Sequence, residues 1–143
     1  MRPLWIAGLV TALAGTAIAG YLTFVRLTGS EVACVGGGGC ESVQASRYGF
    51  MLGVPLPYLG LAFYLTVTAL MAAGLRVERS ADVVLPVLLL LTLAGAIFSG
   101  YLTGIQAAVL GQFCLWCLGS AFVETTLLAL SAALLWARGH EAS

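Results

Sequence analysis

The sequence predicts an all-α integral membrane protein, a four-transmembrane-helix bundle that forms a single domain over residues 1–143. Of its 143 residues, 61% are hydrophobic and only 8% are charged, whereas a soluble domain carries about 25% charged residues. A helix needs roughly 20 mostly apolar residues to cross a bilayer. Four stretches reach this length, namely residues 4–25, 55–75, 83–110 and 114–137.

The first apolar stretch resembles a signal peptide in one respect. Ala17, Ile18 and Ala19 precede Gly20, and small residues in this pattern are typical of a cleavage site. The apolar run continues beyond this point to Val25, so it is longer than the 7–15-residue core of a signal peptide. We therefore expect residues 4–25 to stay in the protein as its first span.

The connection between the first two spans, residues 27–54, holds one pair of cysteines. Cys34 and Cys40 are separated by Val35 and by four consecutive glycines at positions 36–39. Glycine has the greatest backbone freedom of any residue. The spacing therefore predicts a flexible redox loop in which Cys40 changes its position relative to Cys34.

The rest of this loop predicts a short amphipathic helix over residues 41–48, which Gly49 ends. The apolar residues at 50–52 would let this segment lie on the membrane surface. Pro55 then opens the second span, because proline is tolerated at a helix start.

A second pair of cysteines opens the fourth span. Cys114 and Cys117 form a Cys-x-x-Cys motif, and residues three apart lie on the same face of a helix. The first turn of a helix carries unpaired N–H groups and the positive end of the helix dipole. Both stabilise a thiolate, so this pair is predicted to be redox-active.

An internal similarity links the first and third spans. Residues 13–23 recur as residues 93–103, with seven identities in eleven positions, and the same offset carries Cys34 onto Cys114. A duplicated helical hairpin would explain this, and so would a common requirement for small residues at helix contacts and for tyrosines at the interface. Both explanations stay open.

The arginines predict the orientation of the bundle. Cytoplasmic loops carry an excess of Lys and Arg, and four arginines fall on one side of the predicted spans against two on the other: Arg2, Arg76, Arg79 and Arg138 against Arg26 and Arg47. We expect a multi-pass protein of the cell (inner) membrane with both termini in the cytoplasm. All four cysteines would then lie at the outer face, where disulfides persist.

The chain has no lysine and a net charge of zero, which argues against a nucleic-acid partner.

Two other interpretations of the cysteines compete with redox chemistry. Four thiols can bind zinc, but such sites use short spacings in both halves, and the five residues between Cys34 and Cys40 fit poorly. The pairs can also be inert staples, which small secreted domains need and a membrane bundle does not. Either would make the chain a non-catalytic, zinc- or disulfide-stabilised membrane interaction protein; we expect no metal.

The joint pattern resembles the vitamin K epoxide reductase (VKOR) family. It comprises Cys34-x₅-Cys40, Ser46 six residues later, Gly-Val-Pro at residues 53–55, and the Cys-x-x-Cys of the fourth span. Within that family, the chain is most similar to the prokaryotic homologues that drive disulfide formation. The resemblance covers nearly the whole sequence.

The resemblance implies a quinone pocket at the outer face and roles for each cysteine. Cys34 would exchange with a thioredoxin-like or DsbA-like extracytoplasmic protein, Cys40 would attack Cys114, and Cys117 would reduce the quinone, either ubiquinone or menaquinone. Many prokaryotic members carry a fused thioredoxin-like domain, which these 143 residues lack. The resemblance therefore predicts a partner that acts in trans.

Further residues are candidates for contact with the quinone or its protons. Ser46 is one by its family position, and Phe113 and Trp116 are candidates as neighbouring aromatics, although aromatics are common at the interface in any case. Glu124 is an acid deep in the fourth span, where ionisable residues are often functional. It is predicted either to relay protons or to pack as a hydrogen-bonded acid near Thr125 or Gln106.

The chain also departs from the vertebrate epoxide reductases. Those enzymes carry an Asn near the start of the second span and a Tyr four residues after the last cysteine. This chain has Leu56 and Ala121 at these positions. The departure favours a quinone over an epoxide as the electron acceptor. In the alternative, reduction of a quinone or vitamin K epoxide is itself the net role of the protein, and the thiols only supply the electrons.

Overall fold

The computed structural model describes residues 2–29, 47, 50–111 and 113–142. This part of the chain contains four long helices: α1 (Arg2–Thr28), α2 (Leu56–Arg76), α3 (Ala81–Ile105) and α4 (Leu115–Ala142). Each is long and apolar enough to cross a membrane. The four-helix membrane fold predicted from the sequence is thus confirmed. α1 and α4 continue a few residues past their predicted spans, because helical hydrogen bonding does not have to stop where the apolar run ends.

Irregular turns lie at both ends of α3. A 3₁₀ turn, Glu78–Ser80, precedes it, and a π-helical turn, Gln106–Leu110, follows it. π-Helical turns are rare and are frequently found at functional sites. The π turn ends at Gly111, whose φ of 62° is left-handed and favours a residue without a Cβ. The apolar run over residues 83–110 predicts a continuous helix here and does not reveal this turn.

A two-residue hairpin precedes α2. Its strands β1 (Phe50–Met51) and β2 (Val54–Pro55) are antiparallel. The turn residues Leu52 and Gly53 both have positive φ, 53° and 82°, as in the turns that match strand twist in tight hairpins. The amphipathic helix predicted for 41–48 lies, apart from Arg47, outside the described residues.

The helices pack through large side chains that fill positions opposite glycines. A Cβ added at Gly15 would overlap the ring of Tyr64, one at Gly74 would overlap the indole of Trp5, and one at Gly95 would overlap Phe63. Small residues are expected at helix contacts in lipid, where packing rather than the hydrophobic effect drives association. The remaining core consists of fully buried aliphatic side chains, among them Met71, Leu85, Leu88, Leu127 and Leu134.

The up-and-down path of the chain gives the bundle two different ends. The last residues of α1 and α3 and the first residues of α2 and α4 share one end, which we call the cysteine end because α4 begins beside Cys114. At the opposite end, Arg138 forms an ion pair with Asp82, with 3.0 Å between Nη2 and Oδ1. This pair joins the last helix to the start of α3.

Candidate active site

Cys114 caps the first turn of α4. Its carbonyl oxygen accepts the N–H of Leu118 at 2.9 Å, and its Sγ accepts the N–H of Cys117 at 3.3 Å. These two interactions are typical of an N-cap residue: its carbonyl oxygen accepts the first hydrogen bond of the helix, and its side chain accepts the N–H of the second or third helical residue. The Cys-x-x-Cys spacing therefore puts the first sulfur where a serine or aspartate oxygen usually lies.

The two cysteines have different surroundings. Cys114 is fully buried and packs with Leu110, Trp116 and Cys117, whereas Cys117 is only partly buried. The Cys114 sulfur therefore faces a backbone N–H group at the N-terminal end of the helix. The pair is thus built from one enclosed sulfur and one accessible sulfur.

Gln106 connects the end of α3 to the start of α4. Its Oε1 accepts the backbone N–H of Cys114 at 2.7 Å, and only 2% of the residue is exposed. A buried amide that accepts this bond satisfies a helix-terminal N–H group that would otherwise be unpaired. The sequence predicts Gln106 only as a neighbour of Glu124 and does not reveal this role.

A cavity of about 320 Å³ lies at the cysteine end of the bundle, between the four helices. Its volume is at the lower end of the range for small-molecule sites, which are mostly apolar with a few convergent polar groups. Apolar side chains form most of its lining in the described part of the chain: Ile18, Leu22, Met51, Leu56, Leu59, Phe63, Phe98, Leu102, Ile105 and Leu110. The polar lining residues are Tyr64, Ser99, Thr103, Gln106, Cys117, Ser120 and Glu124.

A hydrogen-bonded cluster surrounds Glu124 at the inner side of this cavity. Ser99 Oγ donates to Glu124 Oε2, and the phenol of Tyr64 lies 3.4 Å from Oε1. The same phenol lies 2.6 Å from Ser120 Oγ and 3.0 Å from the Ser120 carbonyl oxygen. We call Tyr64, Ser99, Ser120 and Glu124 the acid cluster.

The predicted neighbours of Glu124 were wrong. Thr125 donates its hydroxyl to the carbonyl of Ala121 within its own helix, and the Gln106 side chain binds Cys114 instead. Thr125 follows Glu124 directly, and consecutive residues of a helix point in different directions. The actual partners come from α2 and α3, which the sequence alone does not orient.

The structure brings together some of the predicted site residues and not others. Cys117 and Glu124 both line the cavity. Phe113 is 51% exposed and Trp116 contacts the ring of Tyr21, with 4.8 Å between centroids; neither is among the described lining residues. Three further predicted site residues lie outside the described part of the chain, namely Cys34, Cys40 and Ser46. Cys34 and Cys40 are also two of the four ligands of the alternative zinc site.

Three residues of the acid cluster were not predicted as site residues, although the sequence contains signals for them: Tyr64, Ser99 and Ser120. Ser120 and Glu124 follow Cys117 by three and seven residues, so the three share one face of α4. Tyr64 and Ser99 are polar residues within apolar spans, where such residues often face the bundle interior. Their convergence depends on helix rotation, which the apolar pattern does not specify.

The fold and the site together define a class of protein: a four-helix membrane bundle in which a Cys-x-x-Cys motif opens a helix beside an apolar cavity. The sequence model of the vitamin K epoxide reductase family matches residues 6–132. The chain belongs to this family, which confirms the resemblance seen in its cysteine pattern.

A curated relative is the thiol-disulfide oxidoreductase LTO1 of Arabidopsis thaliana. It is 40% identical over 117 residues, and the match covers 78% of this chain and 31% of the relative. The chain thus spans about a third of the length of this relative.

Proposed function

We propose that this chain is a membrane thiol–disulfide oxidoreductase that oxidises a thioredoxin-like protein dithiol and passes two electrons to a quinone. One observation carries the proposal: Cys117 lines an apolar cavity, and its motif partner Cys114 is enclosed at the helix start directly behind it. The family and the name of the Arabidopsis relative support the thiol–disulfide chemistry.

The residues of the cavity fit a quinone. Its walls are apolar and include the rings of Phe63 and Phe98, and polar groups lie near Cys117 and around Glu124. A quinone, when bound, accepts two electrons and two protons. Phe63, Phe98 and the aliphatic walls would hold its ring, and the hydroxyls of the acid cluster would meet its oxygens.

The chain's own sulfurs account for the electron path. A Cys114–Cys117 disulfide would be attacked at the Cys114 sulfur by the Cys40 thiolate, which expels the Cys117 thiolate. Cys34 would then attack Cys40, which releases Cys114 and leaves a Cys34–Cys40 disulfide for the partner protein to reduce. Each exchange forms one S–S bond and breaks one. The capping N–H at Cys114 would favour its departure as a thiolate.

Leu56 separates this proposal from net epoxide reduction. It lines the cavity at the position where, by sequence resemblance, the epoxide reductases carry an Asn. An aliphatic side chain there offers no hydrogen bond to an epoxide oxygen. We therefore propose that the electrons taken from the partner dithiol end on a quinone and not on an epoxide, in a protein whose cysteine end faces the outer side of the cell membrane.

The test is reconstitution with a reduced thioredoxin-like protein as donor and a short-chain soluble quinone as acceptor. We expect quinone reduction that is lost in Cys117→Ala, and mass spectrometry of that variant should show a Cys40–Cys114 disulfide. A wild-type protein whose cysteine pairs never interconvert would instead be the non-catalytic bundle. Quinone reduction without the Cys40–Cys114 link in any variant would contradict the order of exchange.

A further inference from the structure

The acid cluster lies in the wall of the cavity but has no part in the sulfur chemistry. Cys117, Ser120 and Glu124 fall on one face of α4, and the backbone positions of Cys117 and Glu124, seven residues apart, are separated by about 10 Å along the helix axis. Both residues line the cavity. An acceptor of two protons therefore has a sulfur near one end of its site and a carboxyl near the other.

Glu124 is held in place from two other helices. Ser99 of α3 donates to one carboxyl oxygen and Tyr64 of α2 approaches the other. Gly95 has no side chain, and a Cβ there would come within 3.4 Å of the carboxyl carbon of Glu124. The carboxyl is thus fitted closely against the α3 backbone and has a defined orientation.

Among the described residues, the surroundings offer Glu124 hydroxyl groups and no cation. Among the described residues that line the cavity, the titratable groups are Tyr64 on α2 and Cys117 and Glu124 on α4; those from α1, α3 and the hairpin are not titratable. An ionisable group at membrane depth is rare and is usually functional. In a site where protons are consumed, the carboxyl is the group suited to supply them.

We propose that Glu124 is the proton donor for the quinone that Cys117 reduces, and this rests on the proposed function. Oxidation of the Cys114–Cys117 dithiol to a disulfide releases two electrons and two protons, and reduction of the quinone to the quinol takes up the same number of each. Glu124 lends one of these protons to a quinone oxygen and regains it from the dithiol.

Tyr64 and Ser120 are positioning residues that link the Cys117 end of the quinone site to the Glu124 end. When Ser120 Oγ donates to the Tyr64 oxygen at 2.6 Å, the phenol hydrogen has two acceptors, the Ser120 carbonyl oxygen at 3.0 Å and Glu124 Oε1 at 3.4 Å. Its donation to Glu124 completes a chain of donors from Ser120 through Tyr64 to the carboxyl. This order of donors connects Glu124 to the residue one turn beyond Cys117. It gives a route along which the lent proton returns.

Two variants of Glu124 separate proton donation from packing. Glu124→Gln keeps the shape and loses the acid, whereas Glu124→Asp keeps the acid and leaves a small gap. Pre-reduced protein is mixed with a soluble short-chain quinone, and a single turnover is followed by absorbance. General acid catalysis contributes about 10²–10⁴-fold, so Gln should slow this turnover by about 100-fold and Asp by clearly less. Thr125→Val, on the adjacent exposed position, should match the wild type.

The pH profile provides a second test. A proton donor must be protonated to act, so the wild-type rate should fall at high pH, and this fall should be absent from Glu124→Gln. A packing role predicts the reverse ranking, with Gln faster than Asp, and an unchanged profile. That ranking would overturn the inference.

Infrared spectroscopy gives a readout that does not depend on turnover. Addition of the soluble quinone should shift a carboxylic C=O band that is absent from Glu124→Gln and unaffected in Thr125→Val. The absence of any shift would overturn the inference even if the rates differ. If the wild-type protein reduces no quinone at all, the proposed function itself fails, and Glu124 has no acceptor.

Discussion

At the scale of single residues, the buried side-chain amide of Gln106 stabilises the start of α4. Its Oε1 accepts the Cys114 N–H, and loss of the partner of a buried N–H costs about 1–3 kcal/mol. We expect Gln106→Leu to lower the thermal unfolding temperature in detergent and to slow formation of the Cys114–Cys117 disulfide. Gln106→Glu keeps an acceptor oxygen and should be the more stable of the two. Equal stability of both variants would show that this bond does not fix the start of α4.

Leu52 is in an unfavourable backbone conformation. Its φ is 53°, and left-handed conformations cost a residue with a Cβ about 1–2 kcal/mol. The side chain is 98% exposed, so the bundle offers no packing in return. Leu52→Gly should therefore stabilise the purified protein by about 1 kcal/mol in thermal unfolding, and Leu52→Ala, which retains the Cβ, should not. A loss of stability in the glycine variant would reveal contacts of the Leu52 side chain with lipid or detergent.

At the scale of elements, the two repeated segments use their glycines in the same way. Gly15 of α1 faces Tyr64, and Gly95 of α3 faces the preceding residue of α2, Phe63. Gly15 and Gly95 occupy equivalent positions in the two segments that are 80 residues apart. The similarity between the segments thus has a packing reason, because each presents a gap to the same region of α2.

This arrangement predicts different outcomes for two similar substitutions. Gly15→Ala would place a Cβ in the ring of Tyr64 and should destabilise the protein by about 1–3 kcal/mol. It should also slow quinone turnover, because Tyr64 contacts Glu124 and Ser120. Gly100→Ala is the matched control: among the described residues, nothing lies within 4 Å of a Cβ added at Gly100, and alanine is favoured over glycine in helices. Thermal unfolding and single-turnover rates measure both, and similar losses in the two variants would contradict this packing.

The sequence specifies the helices better than it specifies their mutual rotation. Hydropathy alone places four spans, and because the fourth predicted span begins at Cys114, it also places the Cys-x-x-Cys motif at the start of α4. The π turn at Gln106–Leu110 escapes this reasoning because its residues also fit a regular helix. The acid cluster escapes it because α2, α3 and α4 are apolar on most sides, so no pattern shows that Tyr64, Ser99 and Glu124 face one another.

At the scale of the whole molecule, the two ends differ in charge and in chemistry. The end opposite the cysteine end holds Arg76, Arg79 and the Arg138–Asp82 pair. The cysteine end holds the cavity and the start of α4, with Arg26 above the ring of Phe50 at 4.7 Å. Because positive residues are retained on the cytoplasmic side, the cysteine end is expected to face outward, where thiol oxidation can serve extracytoplasmic proteins.

Cysteine labelling in intact cells tests this orientation at two exposed positions. In a variant without the four native cysteines, Leu52→Cys introduces a thiol on the hairpin at the cysteine end, and Val77→Cys introduces one between α2 and α3 at the other end; the native residues are 98% and 53% exposed. A membrane-impermeant maleimide should label the first in intact cells and the second only after the membrane is opened. The opposite result would place the cysteine end in the cytoplasm, where thiols are kept reduced. A bundle oriented that way could not supply disulfides to extracytoplasmic partners, because its redox loop would face a reducing compartment.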